Sequence, residues 1–217
     1  MNIRKTLLSG MLASSMALSG GIALAQDMGS SDATPANDAS ATPVASLTSL
    51  EDVPVVNADG EEIAQADVWV GEDGEEGVWF KITGENSGLE EGKYGVHIHE
   101  TGICDADAMF DSAGGHFNPT DETHGDINSD PSHGGDLGNI EVDGDGNFEH
   151  EVLAEKVSMD PEEMNSLADD DGSAIVIHAG EDDLETDPSG ESGDREACGV
   201  IFPPMDGAGT PAATPVD

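Results

Sequence analysis

Apolar and polar residues alternate along several short runs of this 217-residue chain. Runs such as ADVWV (66–70), GVWFKIT (77–83), YGVHIH (94–99), NFEHEV (147–152), SAIVIH (173–178) and CGVIF (198–202) are rich in β-branched or aromatic residues, and several of them show this alternation. Gly, Asp and Asn punctuate them, as in EDGEEG and DGDGN. Side chains that face the same way at every second position mark half-buried strands, and the punctuation marks turns. The pattern predicts an all-β domain, an antiparallel sandwich or barrel rather than a parallel sheet. One window, SMDPEEMNSLADD (158–170), reads as a short helix from Pro161 near its start and its acidic first turn. Two long stretches, 100–139 and 179–197, lack the alternation; loops of that length in a compact domain are usually functional.

The flanks differ from this core. Residues 1–25 carry Arg4 and Lys5, an apolar run broken by Ser and Gly, and then Ala23-Leu24-Ala25. That is the composition of a secretory leader, and no uninterrupted apolar span of about 20 residues supports a retained anchor. Export to the periplasm or beyond the cell is therefore expected. Residues 26–48 and 204–217 are dominated by Asp, Ser, Ala, Thr, Pro and Gly. They have too little apolar surface to bury and are expected to be disordered. Residues 49–203 remain, enough for one domain.

Charge sharpens the picture. All 47 acidic residues lie beyond residue 25, where the only strong cations are Lys81, Lys93, Lys156 and Arg195, so that part carries a formal charge of −43. Such a surface argues against nucleic acid or anionic membrane as a partner. It also repels itself unless salt screens it, over about 10 Å at 0.1 M but only about 3 Å at 1 M. The balance points to a salt-adapted protein. The two cysteines, Cys104 and Cys198, suggest one disulfide in an exported chain, with buried free thiols as the alternative.

The histidines carry the chemistry. His97 and His99 stand two apart on a strand and face one way, with Val96 and Ile98 facing the core. Alone, such a pair on an exposed strand can bind nothing. However, His116, His124, His133 and Asp136 follow in one glycine-rich loop, and another strand ends in His178. His116, His124, His133 and Asp136 make a closed four-donor set that suits tetrahedral Zn²⁺. His97, His99 and His178 with a fourth imidazole make an all-nitrogen set that suits Cu²⁺. Seven residues fill two four-coordinate sites only if one is shared, and His116, with two ring nitrogens, is the candidate. His150, in NFEHEV, reads as a solvent-facing strand position.

The stretches GKYGVHIHETGIC, SAGGHFNP, SHGGDLGN, IVIHAGEDD and REACGVI, in this order, resemble the copper/zinc superoxide dismutase family of the exported bacterial kind. The resemblance spans most of residues 55–202. It implies an eight-stranded Greek-key β-barrel with two long functional loops, binding one copper and one zinc per subunit and acting on superoxide. By the same resemblance, His97, His99, His116 and His178 would hold copper. His116, His124, His133 and Asp136 would hold zinc, and Cys104 would pair with Cys198. Asp182 would orient one imidazole from each site, and Arg195 would position the anion beside copper. Arg195 could instead be a surface residue paired with Asp194 or Glu196. A homodimer is one option for the assembly. Family members commonly steer their anionic substrate with basic residues, whereas the stretch from His178 to Arg195 contains no lysine and many acids. A metal-binding or delivery protein on the same fold is the alternative to an enzyme.

Overall fold

The computed structural model describes residues 48–71 and 76–205. The expected leader, nearly all of the expected linker and all but the first residues of the tail lie outside these. Eight strands follow in order: β1 (Ser49–Asn57), β2 (Glu62–Val70), β3 (Val78–Gly84), β4 (Gly92–His99), β5 (Asp136–Val142), β6 (Phe148–Ala154), β7 (Ser173–His178) and β8 (Arg195–Phe202). All pair antiparallel, in the spatial order β5-β4-β7-β8-β1-β2-β3-β6, so the sheet curls into a nearly closed barrel. The open seam lies between β5 and β6. This is the all-β, Greek-key arrangement that the alternation and the family resemblance imply.

The alternation is visible in β3, whose Val78, Phe80 and Ile82 are fully buried while Trp79 and Lys81 face outward. These side chains, with Val55, Val68, Val96, Ile98, Ile140, Ile175 and Ile177, fill the barrel. A smaller core of Phe110, Ala113, Ala174, Val176 and Cys198 packs on the other face of β7. β7 is therefore buried on both sides, and β4 is buried over its last five residues. His97 and His99 thus lie beneath loops on a covered face.

Four expectations change. Residues 158–170 form no helix. Ser158 Oγ accepts from Asp160 N and Asp160 Oδ1 from Glu162 N, while Ser158 and Leu167 join through the backbone. Short polar side chains that bond their own backbone compete with helix formation, and here they win because Met159 and Leu167 are both drawn into the core. The first long loop ends at 135, since β5 starts at Asp136, and the second ends at 194, since β8 starts at Arg195. Finally, His150 is half-buried and its Nε2 donates to Leu137 O at 3.0 Å, a link across the open seam rather than a solvent-facing position.

Candidate metal centre

The strand β4 and the end of β7 form the floor of the site. β4 pairs with β7 through His97–Val176 and His99–Ala174, which sets His178 beside them at the strand end. His116 lies above, its backbone bridged to His99. The His97 and His116 rings are 3.9 Å apart between centroids. The expected residues His97, His99, His116, His124, His133, Asp136, His178 and Asp182 are all buried and all converge here.

His97, His99, His116 and His178 each have one ring nitrogen committed and one left over. His99 Nδ1 donates to Gly114 O at 2.9 Å, and His178 Nδ1 to Gly193 O at 3.1 Å. Their Nε2 atoms face each other at 3.3 Å. His97 Nε2 donates to Asp182 Oδ2 at 2.6 Å, which leaves its buried Nδ1 without a partner. His116 Nε2 is buried and unpartnered as well. Donor atoms of these four residues fall within 4.8 Å of one another. Burying unpaired nitrogens is costly unless something binds them, so this cluster fits a cation that takes four imidazoles.

The second cluster meets the first at His116. Its Nδ1 lies 3.0 Å from Asp136 Oδ1 and 3.2 Å from His133 Nδ1. Asp136 Oδ1 is also 3.0 Å from His124 Nδ1 and 3.2 Å from His133 Nδ1. A tetrahedral ion with bonds of about 2.0 Å spaces its donors about 3.3 Å apart, and each of these four contacts is close to that spacing. Donor atoms of His97, His116, His124 and Asp136 also lie within 4.8 Å of one another. That group takes His97 in the place expected for His133, and the free donor of His97 is Nδ1, since its Nε2 is taken up by Asp182. The other oxygen of Asp136 accepts from the backbone of Gly125 (3.1 Å) and His133 (2.9 Å), which fixes the carboxylate.

Asp182 joins the halves. Its Oδ2 accepts from His97 and its Oδ1 from His124 Nε2 at 2.9 Å. Fixing the far nitrogen of a ring sets its tautomer and its aim. Asp182 is itself held by Asn139, which accepts from its N–H (2.8 Å) and donates to its carbonyl (2.9 Å). Asp187 Oδ1 accepts from His124 N at 2.6 Å. Asn139, on β5, and Asp187, in the loop after β7, escape a motif reading because each meets its partner only in the fold.

The titration behaviour follows this geometry. Burial pushes His97 down to about 3, against the partial opposition of Asp182, and His178 down to about 4. Burial likewise lowers His99 and His116. These rings are neutral at pH 7, as metal ligation requires. Burial also works against a charged His124, but its contacts with Asp136 and Asp182 outweigh it and raise that ring to about 10. Burial alone would raise Asp136 and Asp182; the histidine contacts instead hold both well below the usual carboxylate range.

Cys104 and Cys198 form a disulfide. It packs in the smaller core beside Phe110 and Ala113, tying residues 104–113 to β8. Arg195 lies three residues before Cys198, opposite His178. Its guanidinium donates to Phe110 O and, at 2.6 Å, to Gly114 O, the carbonyl that also receives His99 Nδ1. Among the described residues it forms no ion pair with Asp194 or Glu196. It is instead close enough to His99 and His178 to depress both.

The profile of the family described as "Copper/zinc superoxide dismutase (SODC)" matches residues 64–201. "Superoxide dismutase [Cu-Zn] 1" of Aquifex aeolicus is 40% identical over 147 residues, 68% of this chain and 84% of that protein. "Superoxide dismutase-like protein YojM" of Bacillus subtilis is 38% identical over 69% of this chain and 74% of that protein. Among solved structures, a double mutant of a SOD-like protein from Bacillus subtilis aligns with a TM-score of 0.63 and 38% identity, covering 69% of this chain and 95% of that one.

Proposed function

Since the chain belongs to the copper/zinc superoxide dismutase family, we propose that its two histidine clusters make it work as one by copper redox cycling beside a zinc-supported, shared histidine. The family's enzymes convert superoxide to dioxygen and hydrogen peroxide with copper and zinc, and this chain is such an enzyme. The finer reading assigns copper to His97, His99, His116 and His178, and zinc to His116, His124, His133 and Asp136. One observation carries it: the buried His116 has Nδ1 in one donor cluster and an otherwise unpartnered Nε2 in the other.

When bound, copper supplies a one-electron couple and zinc a fixed positive charge. The residues do the rest. Arg195, immobilised by two carbonyls, offers its remaining N–H groups to an anion. His116 Nε2 is the atom at which a proton can be held and handed to the reduced substrate. His99 and His178, tethered through Nδ1, keep their Nε2 atoms aimed inward without rearrangement. Asp182 keeps His97 and His124 in the tautomers that leave Nδ1 free for metal.

The leader-like residues 1–25 support export, to the periplasm or outside the cell, and the excess of acids supports adaptation to salt. The loop 179–194 is acidic and lacks lysine, so long-range attraction of superoxide is weak and screening by salt is no handicap. Protein stripped of copper with zinc retained should lose turnover and keep its fold; turnover in copper-free protein would refute the mechanism. The "-like" name of the Bacillus subtilis relative favours a second reading, a non-catalytic metal-binding protein. A metal-loaded sample with no turnover would establish it.

A further inference from the structure

Beyond residue 25 the chain has four strong cations, and they are used in two ways. Lys81 and Lys93 form surface ion pairs with Glu149 and Glu181, each at 3.0 Å. Lys156 is half-buried, and its ammonium donates to Ser129 O (2.6 Å), Ser132 O (2.9 Å) and Ser132 Oγ (2.8 Å). Those contacts use all three donors of an ammonium group. None of them is a carboxylate, although the chain has 47 acidic residues.

The carbonyls it gathers belong to the turn that leads into His133. Ser132 is fully buried, and its Oγ donates to Ser129 O at 3.0 Å, closing the turn. One step upstream, Asn128 donates to Leu153 O (2.8 Å) and accepts from Glu155 N (2.9 Å). One step downstream, a Cβ on Gly134 would come within 3.2 Å of Val157 Cγ1. Residues 128–134 are thus clipped to residues 153–157, at and just past the end of β6, with Lys156 at the centre. Asn165 donates to Lys156 O at 3.0 Å and holds the lysine from behind.

We propose that Lys156 is a positioning residue for the zinc half of the centre: its ammonium shapes the turn at residues 129–132 so that His133 faces His116 and Asp136 before any metal arrives. The inference rests on the ligand assignment above. Without the ammonium, two carbonyls and a hydroxyl each lose a donor, Ser129 O keeping only the Ser132 hydroxyl, and the turn must be ordered at the expense of zinc binding.

The test compares Lys156→Met with Lys81→Met, which removes the same charge from the surface. Zinc transfer to a chromogenic chelator is followed, together with the visible absorption of Co²⁺ placed in the zinc position. Folded Lys156→Met should release zinc roughly 10–100-fold faster, the usual scale for losing a residue that supports a ligand, with an altered cobalt band. Lys81→Met should match the wild type in both. A folded Lys156→Met with wild-type release and spectrum would overturn the proposal. A measurement on unmodified protein holds even if that variant does not fold. In metal-free wild type, the amides of Ser129 and Gly135, bonded to Asp126 O and Phe117 O, should resist hydrogen exchange. Protection there only after zinc is added would also overturn it. Wild-type protein that takes up no zinc would instead remove the ligand set itself.

Discussion

Replacing Asp182 by Asn should weaken copper binding more than zinc binding, although the carboxylate touches both halves. The two oxygens carry different loads. Oδ1 accepts from His124 Nε2 at 2.9 Å and from Leu184 N at 2.7 Å, whereas Oδ2 accepts from His97 Nε2 alone at 2.6 Å. An amide has one acceptor oxygen and one NH₂ group. Placing the oxygen at the Oδ1 position satisfies two donors, so the NH₂ faces His97, whose Nε2 must keep its proton while Nδ1 binds metal. That buried ring then meets donor against donor. Losing a hydrogen bond to a charged group costs about 1.5–3 kcal/mol, which is roughly a 10- to 150-fold rise in the copper Kd. On the zinc side a charged acceptor becomes a neutral one, a loss of about 1 kcal/mol, or roughly fivefold. Chelator competition run separately for each metal measures both. Equal losses, or a larger loss of zinc, would refute the division of labour between the two oxygens.

Gly190 sits at φ +63°, and an added Cβ would fall 1.8 Å from Asp182 Oδ1 and 2.8 Å from His124 Nε2. Gly190→Ala should therefore reduce the affinity for both metals while circular dichroism still reports the barrel; undisturbed affinities would contradict this. Removing the disulfide by Cys104→Ser with Cys198→Ser opens a link across 94 residues. In urea denaturation it should cost about 4–5 kcal/mol on the chain-entropy scale, and a loss below about 1 kcal/mol would show that the link does not hold the loop. Turnover should rise or stay level from low to molar NaCl, and the unfolding midpoint should climb, because the excess negative charge is screened within about 3 Å at 1 M. A steep fall in rate would reveal a positive channel that the sequence does not suggest.

Legibility in the sequence tracks how local each feature is. β3 stands out by its clean alternation and β7 by its β-branched run, and so does the shared direction of His97 and His99. β1 is hidden by Pro54 and by Asp52 at φ +56°, which coincides with a register shift against β2. β5 starts with three buried residues in a row and has Gly138 at φ +79°, so it reads as the end of a loop. The window 158–170 has helical composition, but tertiary burial of Met159 and Leu167 overrides it. Asn139, Asp187 and Lys156 act across separations of 43, 63 and 24 residues, through hydrogen bonds that no spacing rule anticipates. The residue resemblance reaches further than periodicity because it compares whole stretches around each loop.

The central claim is that one imidazole serves two cations. Crystals of protein loaded with both metals, measured on either side of the copper and zinc absorption edges, would locate each ion separately. The account predicts copper within bonding distance of His116 Nε2 and of His97, His99 and His178, and zinc within bonding distance of His116 Nδ1 and of His124, His133 and Asp136. Either anomalous peak lying out of reach of the His116 ring would contradict it.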